Sequence, residues 1–305
     1  MIDNAKIWIP QKKHLQDHIN HTRVIDLSTK LDLSTGLIDA CPKRGKYFNM
    51  DVVLTCKSSF IRGSIHMLTN LLNGKERKNF NDLCFSSSNE SISHLIKVFG
   101  LNKKTYITNL EFGLNIQLSK DPQELIDYNL LMYDLDPPNA DEKFRGRGDM
   151  KVFHKTDYLL KIYNKSKQYR LQNHILRVEI KIISKRKLQK FGINRLEDLQ
   201  KEDVIRKLYA FLMGEIQKLI VIDDFSEVDM TQEDQNELNL YTNPNYWKKL
   251  SRDRSYKVKT NRKARFKALI TKYHLNSIHN DILTKVSEKF SQMMDCPQQS
   301  LKMVA

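Results

Sequence analysis

Three consecutive runs between Asp149 and Ser184 alternate apolar and polar side chains, a period of two that confines them to neighbouring strands of a sheet with one wet face. In the run from Tyr158 to Lys165, Lys161, Tyr163 and Lys165 fall on one side and Leu160, Ile162 and Asn164 on the other. From Ile175 to Ile183, Arg177, Glu179 and Lys181 line up opposite Leu176, Val178, Ile180 and Ile182. Paired, the runs bury one apolar face and present tyrosine, glutamate, lysine and arginine on the other.

That group suits phosphoryl transfer. A phenolate attacks a phosphodiester, a carboxylate holds a divalent metal against the non-bridging oxygens, and a lysine or arginine neutralises developing charge. An ordinary antiparallel sheet produces the same pattern, because lysine and glutamate on a wet face form cross-strand ion pairs. A further long strand, from Tyr106 to Leu118, sets Leu110, Phe112, Leu114, Ile116 and Leu118 on one side, which pins Glu111, Gly113 and Asn115 to the polar side.

Upstream, Ile2 to Pro10 reads as an edge strand, and the polar stretch to Asn49 as an arm or irregular cover. Asp51 to Lys57 and Phe60 to Met67 read as a strand pair, and Ser88 to Phe99 as a helix capped by Ser88 and stopped by Gly100. Asp121-Pro122 opens a helix to about Met132, and 134–148 reads as a loop whose Arg145 and Arg147, among glycines, suit a phosphate backbone or a plain connection.

Downstream, Asp203 to Ile220 is an amphipathic helix. Asp223, Asp224, Glu227 and Asp229 follow without fixed spacing, as expected of a solvated linker rather than a metal site. The last section is helical and basic. Between Lys257 and Lys272 it interleaves cations, Arg262, Lys263 and Lys267 among them, with Phe266, Leu269 and Ile270, as in a helix-turn-helix reader or a small supporting bundle. The expected architecture is α+β: an arm over 1–49, an antiparallel-sheet catalytic domain flanked by helices over 50–229, and a basic helical DNA-binding domain over 230–305.

A net charge of +15 over 305 residues attracts polyanions, with nucleic acid as the first partner and an anionic membrane surface as the second. Cys41, Cys56, Cys84 and Cys296 lie far apart without a CxxC pair, so neither a zinc module nor a disulfide framework is expected. No run reaches membrane-spanning length and no leader opens the chain, so a cytoplasmic protein is expected.

Four segments occur in order: Arg62-Gly-Ser-Ile-His66, Asn109-Leu-Glu-Phe-Gly-Leu-Asn115, Lys161-Ile-Tyr-Asn-Lys-Ser-Lys-Gln168 and Leu176-Arg-Val-Glu-Ile-Lys181. Together they resemble rolling-circle replication initiators of phages, plasmids and integrative elements, in the branch that is also similar to filamentous-phage nicking proteins. The resemblance spans roughly Met50 to Asp223 and implies a five-stranded antiparallel catalytic sheet, a metal-dependent tyrosine nucleophile and a covalent link to the 5′ phosphate of a nicked strand. It departs in lacking a His-hydrophobe-His pair, and in carrying Gln168 and Asn115 where acids are expected.

On this basis Tyr163 is the expected nucleophile, with Tyr158 and Tyr169 as competitors. Glu111 and Glu179, helped by His66, hold Mg²⁺ or Mn²⁺, since hard oxygen ligands suit those ions better than zinc. Lys165 or Arg177 stabilises the charge at phosphorus, and Lys161, Arg177, Lys181, Arg145, Arg147, Arg262, Lys263 and Lys267 contact DNA. The expected activity is origin nicking and rejoining, with host helicase and polymerase as partners; the alternative is a non-enzymatic, sequence-specific DNA-binding initiator.

Overall fold

The computed structural model describes residues 1–144, 148–253 and 256–296, with the backbone alone at 140–144, 148–149 and 251–253. Arg145 and Arg147 lie outside the described residues. The chain is α+β, built on one nine-stranded sheet in which every neighbouring pair is antiparallel.

The strands are β1 (Ile2–Ile9), β2 (Lys43–Tyr47), β3 (Met50–Leu54), β4 (Ser59–Ser64), β5 (Tyr106–Gln117), β6 (Leu130–Tyr133), β7 (Ala140–Phe144), β8 (Gly148–His154), β9 (Tyr158–Asn164), β10 (Ile175–Ile182) and β11 (Leu219–Val221). In the large sheet the order is β2-β3-β4-β1-β5-β10-β9-β8-β7, and β6 pairs with β11 in a separate ribbon. The helices are α1 (Lys12–Thr22), α2 (Ile65–Leu72), α3 (Phe85–Val98), the short α4 (Pro122–Glu124), α5 (Lys165–Tyr169), α6 (Lys185–Lys190), α7 (Glu202–Ile216), α8 (Gln232–Tyr241), α9 (Pro244–Asp253), α10 (Tyr256–Lys272) and α11 (Ser277–Met294).

Alternation on β5, β9 and β10 does what the sequence requires. Leu110, Phe112 and Leu114 join Leu160, Ile162, Val178 and Ile180 in a core closed by Ile92 and Leu95 of α3, Leu188 of α6, Leu208 and Leu212 of α7, and Val286 and Phe290 of α11. Each such side chain, fully buried, contributes about 1.5–3 kcal/mol. The opposite face carries the charges. A second cluster joins Met132, Leu135 and Ile222 to Leu238, Tyr241 and Trp247 of α8 and α9 and to Phe266 and Leu269 of α10. The C-terminal helices therefore divide: α8, α9 and α10 pack on the β6–β11 ribbon, whereas α11 belongs to the main core, with one face buried and closed to a DNA groove.

Several elements differ from the sequence expectation. β1 is an inner strand between β4 and β5, not an edge, because its Ala5, Ile7 and Ile9 are wholly apolar on the core side. The expected loop over 134–148 contains β7, held by its ladder to β8. The helix from Pro122 gives way to a π-helical turn at Leu125–Asn129 and then β6, since Leu130, Met132 and Tyr133 are buried. The four cysteines form two disulfides, Cys41–Cys56 and Cys84–Cys296, with Cα atoms 5.5 and 5.8 Å apart. Folding closes gaps of 15 and 212 residues that spacing along the chain does not reveal. Among the described residues no helix is long and apolar enough to cross a membrane.

Candidate active site

The polar face of the sheet is a cleft of about 490 Å³ lined by Asp3, Glu111, Lys161, Tyr163, Lys165 and Glu179, with Lys181 at its mouth. Register explains the grouping: Glu179 of β10 faces Lys161 of β9 on one side and Gly113 of β5 on the other, and Lys181 faces Glu111. Tyr163 is level with Arg177 on β10 and with Met150 on β8.

Three carboxylates converge. Asp3, Glu111 and Glu179 are all buried, and one oxygen from each lies within 4.8 Å of the others. Asp3 was hidden from pattern reading because β1 carries a register shift between Ile2 and Ala5. That irregularity turns two consecutive residues to the polar side, Asp3 towards Arg177 and Asn4 towards Glu111, to which its amide donates. A strict period of two cannot show it.

Cations already engage these acids. Lys161 Nζ is 3.0 Å from Glu111 and 3.0 Å from Glu179, and Lys181 Nζ is 3.1 Å from Glu111. Arg177 is 1% exposed and donates to Glu179 at 2.9 Å, to Asn115 at 3.1 Å and to Asp3 at 3.2 Å. Its guanidinium is therefore an internal strut of the sheet, away from any phosphate outside. Ser64 and Asn79 also donate to Asp3. Burial opposes ionisation of Glu179, yet Lys161 and Arg177 overcome it and hold the carboxyl below its usual range. Burial likewise opposes the charge on Lys161, and Glu179 and Glu111 more than offset it.

The donor set fits a hard divalent cation: three carboxylates, no sulfur and no imidazole. The Lys161 ammonium bridges two of the three, Glu111 and Glu179, and would compete with such an ion for them. His66 stands apart from the three acids. It is buried on α2, its Nε2 is 3.2 Å from Asn81 Oδ1, and burial holds its pKa well below the ordinary value.

The three tyrosines separate clearly. Tyr158 points to the other side of the sheet, where its hydroxyl donates to Glu215 at 2.6 Å and its ring meets Phe211. Tyr169 on α5 donates to Asn79 at 2.7 Å. Tyr163 lies on the cleft floor, 7% exposed, and burial followed by the Glu179 charge pushes its phenol well above the ordinary value.

Lys165 is the first residue of α5, not a continuation of β9. Asn164 caps that helix by accepting from Lys167 N at 3.0 Å, which turns Lys165 back over the cleft. Its ammonium lies 5.3 Å from the Tyr163 ring centre and 5.1 Å from that of Tyr169. Burial first, then the Arg177 charge, brings its pKa down to about 7.

Among the other expected DNA contacts, Arg262 donates to Glu237 at 3.3 Å and to Tyr241 at 3.1 Å, and Lys263 pairs with Asp134. Lys267 is exposed. A separate cavity of about 1090 Å³, lined by none of these groups, lies between the π-helical turn and the start of α11.

No family model and no curated protein matches the chain. Among solved structures it is similar to a rolling circle replication initiator protein from Geobacillus stearothermophilus, with 10% sequence identity over 76% of this chain and 89% of that one and a TM-score of 0.40. A likeness of that order leaves function to be read from the cleft.

Proposed function

We propose that this chain is a replication initiator that nicks and rejoins DNA, with the Tyr163 hydroxyl as nucleophile. The observation that carries the reading is the meeting, in one cleft, of a tyrosine, a lysine with a pKa of about 7 and three carboxylates from three strands. In the reaction the Tyr163 oxygen forms a bond to phosphorus and the bond from phosphorus to the 3′ oxygen breaks. The products are a 5′-phosphotyrosine and a free 3′ hydroxyl. Attack by a liberated 3′ hydroxyl on the phosphotyrosine reverses the sequence and rejoins the strand.

The residues divide the work. Near neutral pH part of the Lys165 population is the free amine, able to take the phenol proton, and once protonated it faces the phosphate as a cation. Lys161 and Lys181 draw the backbone into the cleft. Asp3, Glu111 and Glu179 would hold Mg²⁺ or Mn²⁺, which supplies charge stabilisation at the phosphoryl oxygens.

A binding-only initiator is the second reading, favoured by the ion pairs that already satisfy the carboxylates and by the slight exposure of Tyr163. Incubating the protein with supercoiled DNA bearing its own element's origin and Mn²⁺, then denaturing it, separates the two. A band of protein joined covalently to DNA supports the nickase; tight origin binding without one supports the alternative.

A further inference from the structure

Beside the cleft the same sheet face carries an aromatic platform that the nicking chemistry does not use. Trp8 on β1 is paired with Phe60 on β4 and with Tyr106 on β5, and the Trp8 and Tyr106 ring centres are 6.1 Å apart at an interplanar angle of 30°. All three rings are partly exposed. Cations surround them: Lys6 Nζ lies 4.5 Å from the Phe60 ring centre, Arg62 5.7 Å from it, and Lys185 Nζ 4.4 Å from the Tyr106 ring centre. Two of these, Lys6 and Arg62, line a trough of about 580 Å³ that also contains Asp51, Arg77 and Asn109. The trough shares Asn4, Met67, Glu111 and Lys181 with the candidate active site, so the two hollows adjoin.

We infer that this platform binds single-stranded DNA leading out of the cleft, with an unpaired base stacked on Trp8 and its phosphates against Lys6 and Lys185, while Arg62 stays paired with Asp51 at 3.5 Å. The inference rests on the nucleic-acid reading of the cleft and extends it. Unpaired bases offer π-faces that aromatic side chains stack on, whereas a duplex hides those faces between its base pairs. The cations supply the second ingredient of a single-strand groove, a positive track for the backbone. Distance fits too: Glu111 and Tyr106 are five residues apart on β5, or ~17 Å at ~3.3 Å per residue, a span of a few extended nucleotides.

The chain supplies its own reporter. It has two tryptophans, of which Trp247 is 1% exposed in the C-terminal helices, so a fluorescence change on binding belongs chiefly to Trp8. The experiment titrates full-length Tyr163→Phe protein, which cannot form an adduct through that residue, with a twenty-nucleotide oligo(dT), following tryptophan emission and the anisotropy of labelled DNA together. Quenching that parallels binding is expected, and Trp8→Phe removes the quench. Trp8→Ala weakens binding roughly tenfold, as loss of one stacked base does. The double variant Lys6→Gln, Lys185→Gln leaves the rings in place and lowers the slope of log affinity against log salt by about 0.7 for each phosphate no longer neutralised.

Binding without a change in emission, affinity untouched by Trp8→Ala together with an unchanged salt slope in the double variant, or no binding of single strands at all would each overturn the platform. Its failure is distinct from failure of the nickase reading. Quenching by oligo(dT) in a protein that never forms a covalent adduct refutes the nucleophile and leaves the platform standing, while adduct formation with a silent Trp8 does the reverse.

Discussion

Gly113 on β5 lies directly opposite Glu179 on β10, and a methyl group in its place would sit 2.9 Å from the Glu179 Cα and 2.5 Å from the Val178 carbonyl oxygen. No L side chain fits there without moving backbone, so the close approach that lets Glu179 face Lys161 depends on glycine. Gly113→Ala is expected to cost about 1–3 kcal/mol in urea denaturation and to weaken DNA binding by displacing β10. Gly214→Ala, on a helix where the added methyl meets nothing, is the control and should be neutral or slightly stabilising. Equal effects at the two positions would remove the packing argument.

Tyr163→Phe removes one oxygen and leaves the ring on the cleft floor, so folding and DNA binding persist while the covalent adduct disappears. Tyr169→Phe breaks a hydrogen bond to Asn79 and with it one tie between α5 and the loop bearing Asn79, which also holds Asp3. A severalfold loss of nicking with the adduct still formed is expected there. The measurement is adduct yield on a denaturing gel; an adduct lost with Tyr169→Phe and retained with Tyr163→Phe would reverse the assignment.

Lys161 bridges Glu111 and Glu179, two of the three acids that would hold a divalent cation, and so competes with such an ion for them. Lys161→Gln takes away that ammonium and leaves the carboxylates short of positive charge, which lowers stability without metal by a few kcal/mol. Mn²⁺ should then bind at least about tenfold more tightly, a difference of ~1.4 kcal/mol, and restore part of the lost stability. Isothermal titration reads the affinity directly. Unchanged Mn²⁺ affinity would mean that the acids serve only the ion-pair network.

How much of this was legible depends on the kind of regularity. Glu111 and Glu179 are readable because each lies on a strand whose opposite face is wholly apolar, and Tyr163 because Leu160 and Ile162 fix the face opposite it, so that a one-residue slip would bury every charge. Asp3 is not readable, since it lies at a register shift, and Lys165 reaches the cleft face through the cap at Asn164 and not through strand alternation. Central position escaped β1 because strand order is set by long-range pairing. The cysteine pairs escaped for the same cause. The basic helices misled in another way: charge along α10 suggested a free binding face, but Asp234, a buried acid, collects Arg265 and Lys272, and Glu237 takes Arg262.

Lys165 makes a prediction in pH. Burial lowers its pKa from the ordinary lysine value to about 7, so between about 7 and about 10 the unfolded chain binds a proton that the folded chain does not. Stability therefore rises with pH across that window, and below it the full cost of the buried charge is present. Lys165→Met should flatten this rise by a few kcal/mol in denaturation curves taken from about pH 6.5 to about pH 9.5. Nicking should increase through pH 7 as the free amine forms. A wild-type rise matched by the variant would place the titration elsewhere.

The last prediction concerns α10, where three cations were expected to contact DNA. Each phosphate left without its cation lowers the slope of log affinity against log salt by about 0.9 for duplex DNA, so removing three bound cations would change it by nearly three units. The structure divides the three: Arg262 is held by Glu237 and Tyr241 and Lys263 by Asp134, while Lys267 is exposed with no ion pair among the described residues. Lys267→Gln alone should lower the slope by about 0.9 and leave the denaturation midpoint unchanged. Arg262→Gln and Lys263→Gln should do the opposite, leaving the slope nearly constant and lowering stability by up to about 1 kcal/mol each, as exposed ion pairs do. Nicking of a short single strand, which needs only the cleft, should be untouched by all three. Equal slope changes from the three variants would show that α10 releases its partners to grip the duplex with its whole length.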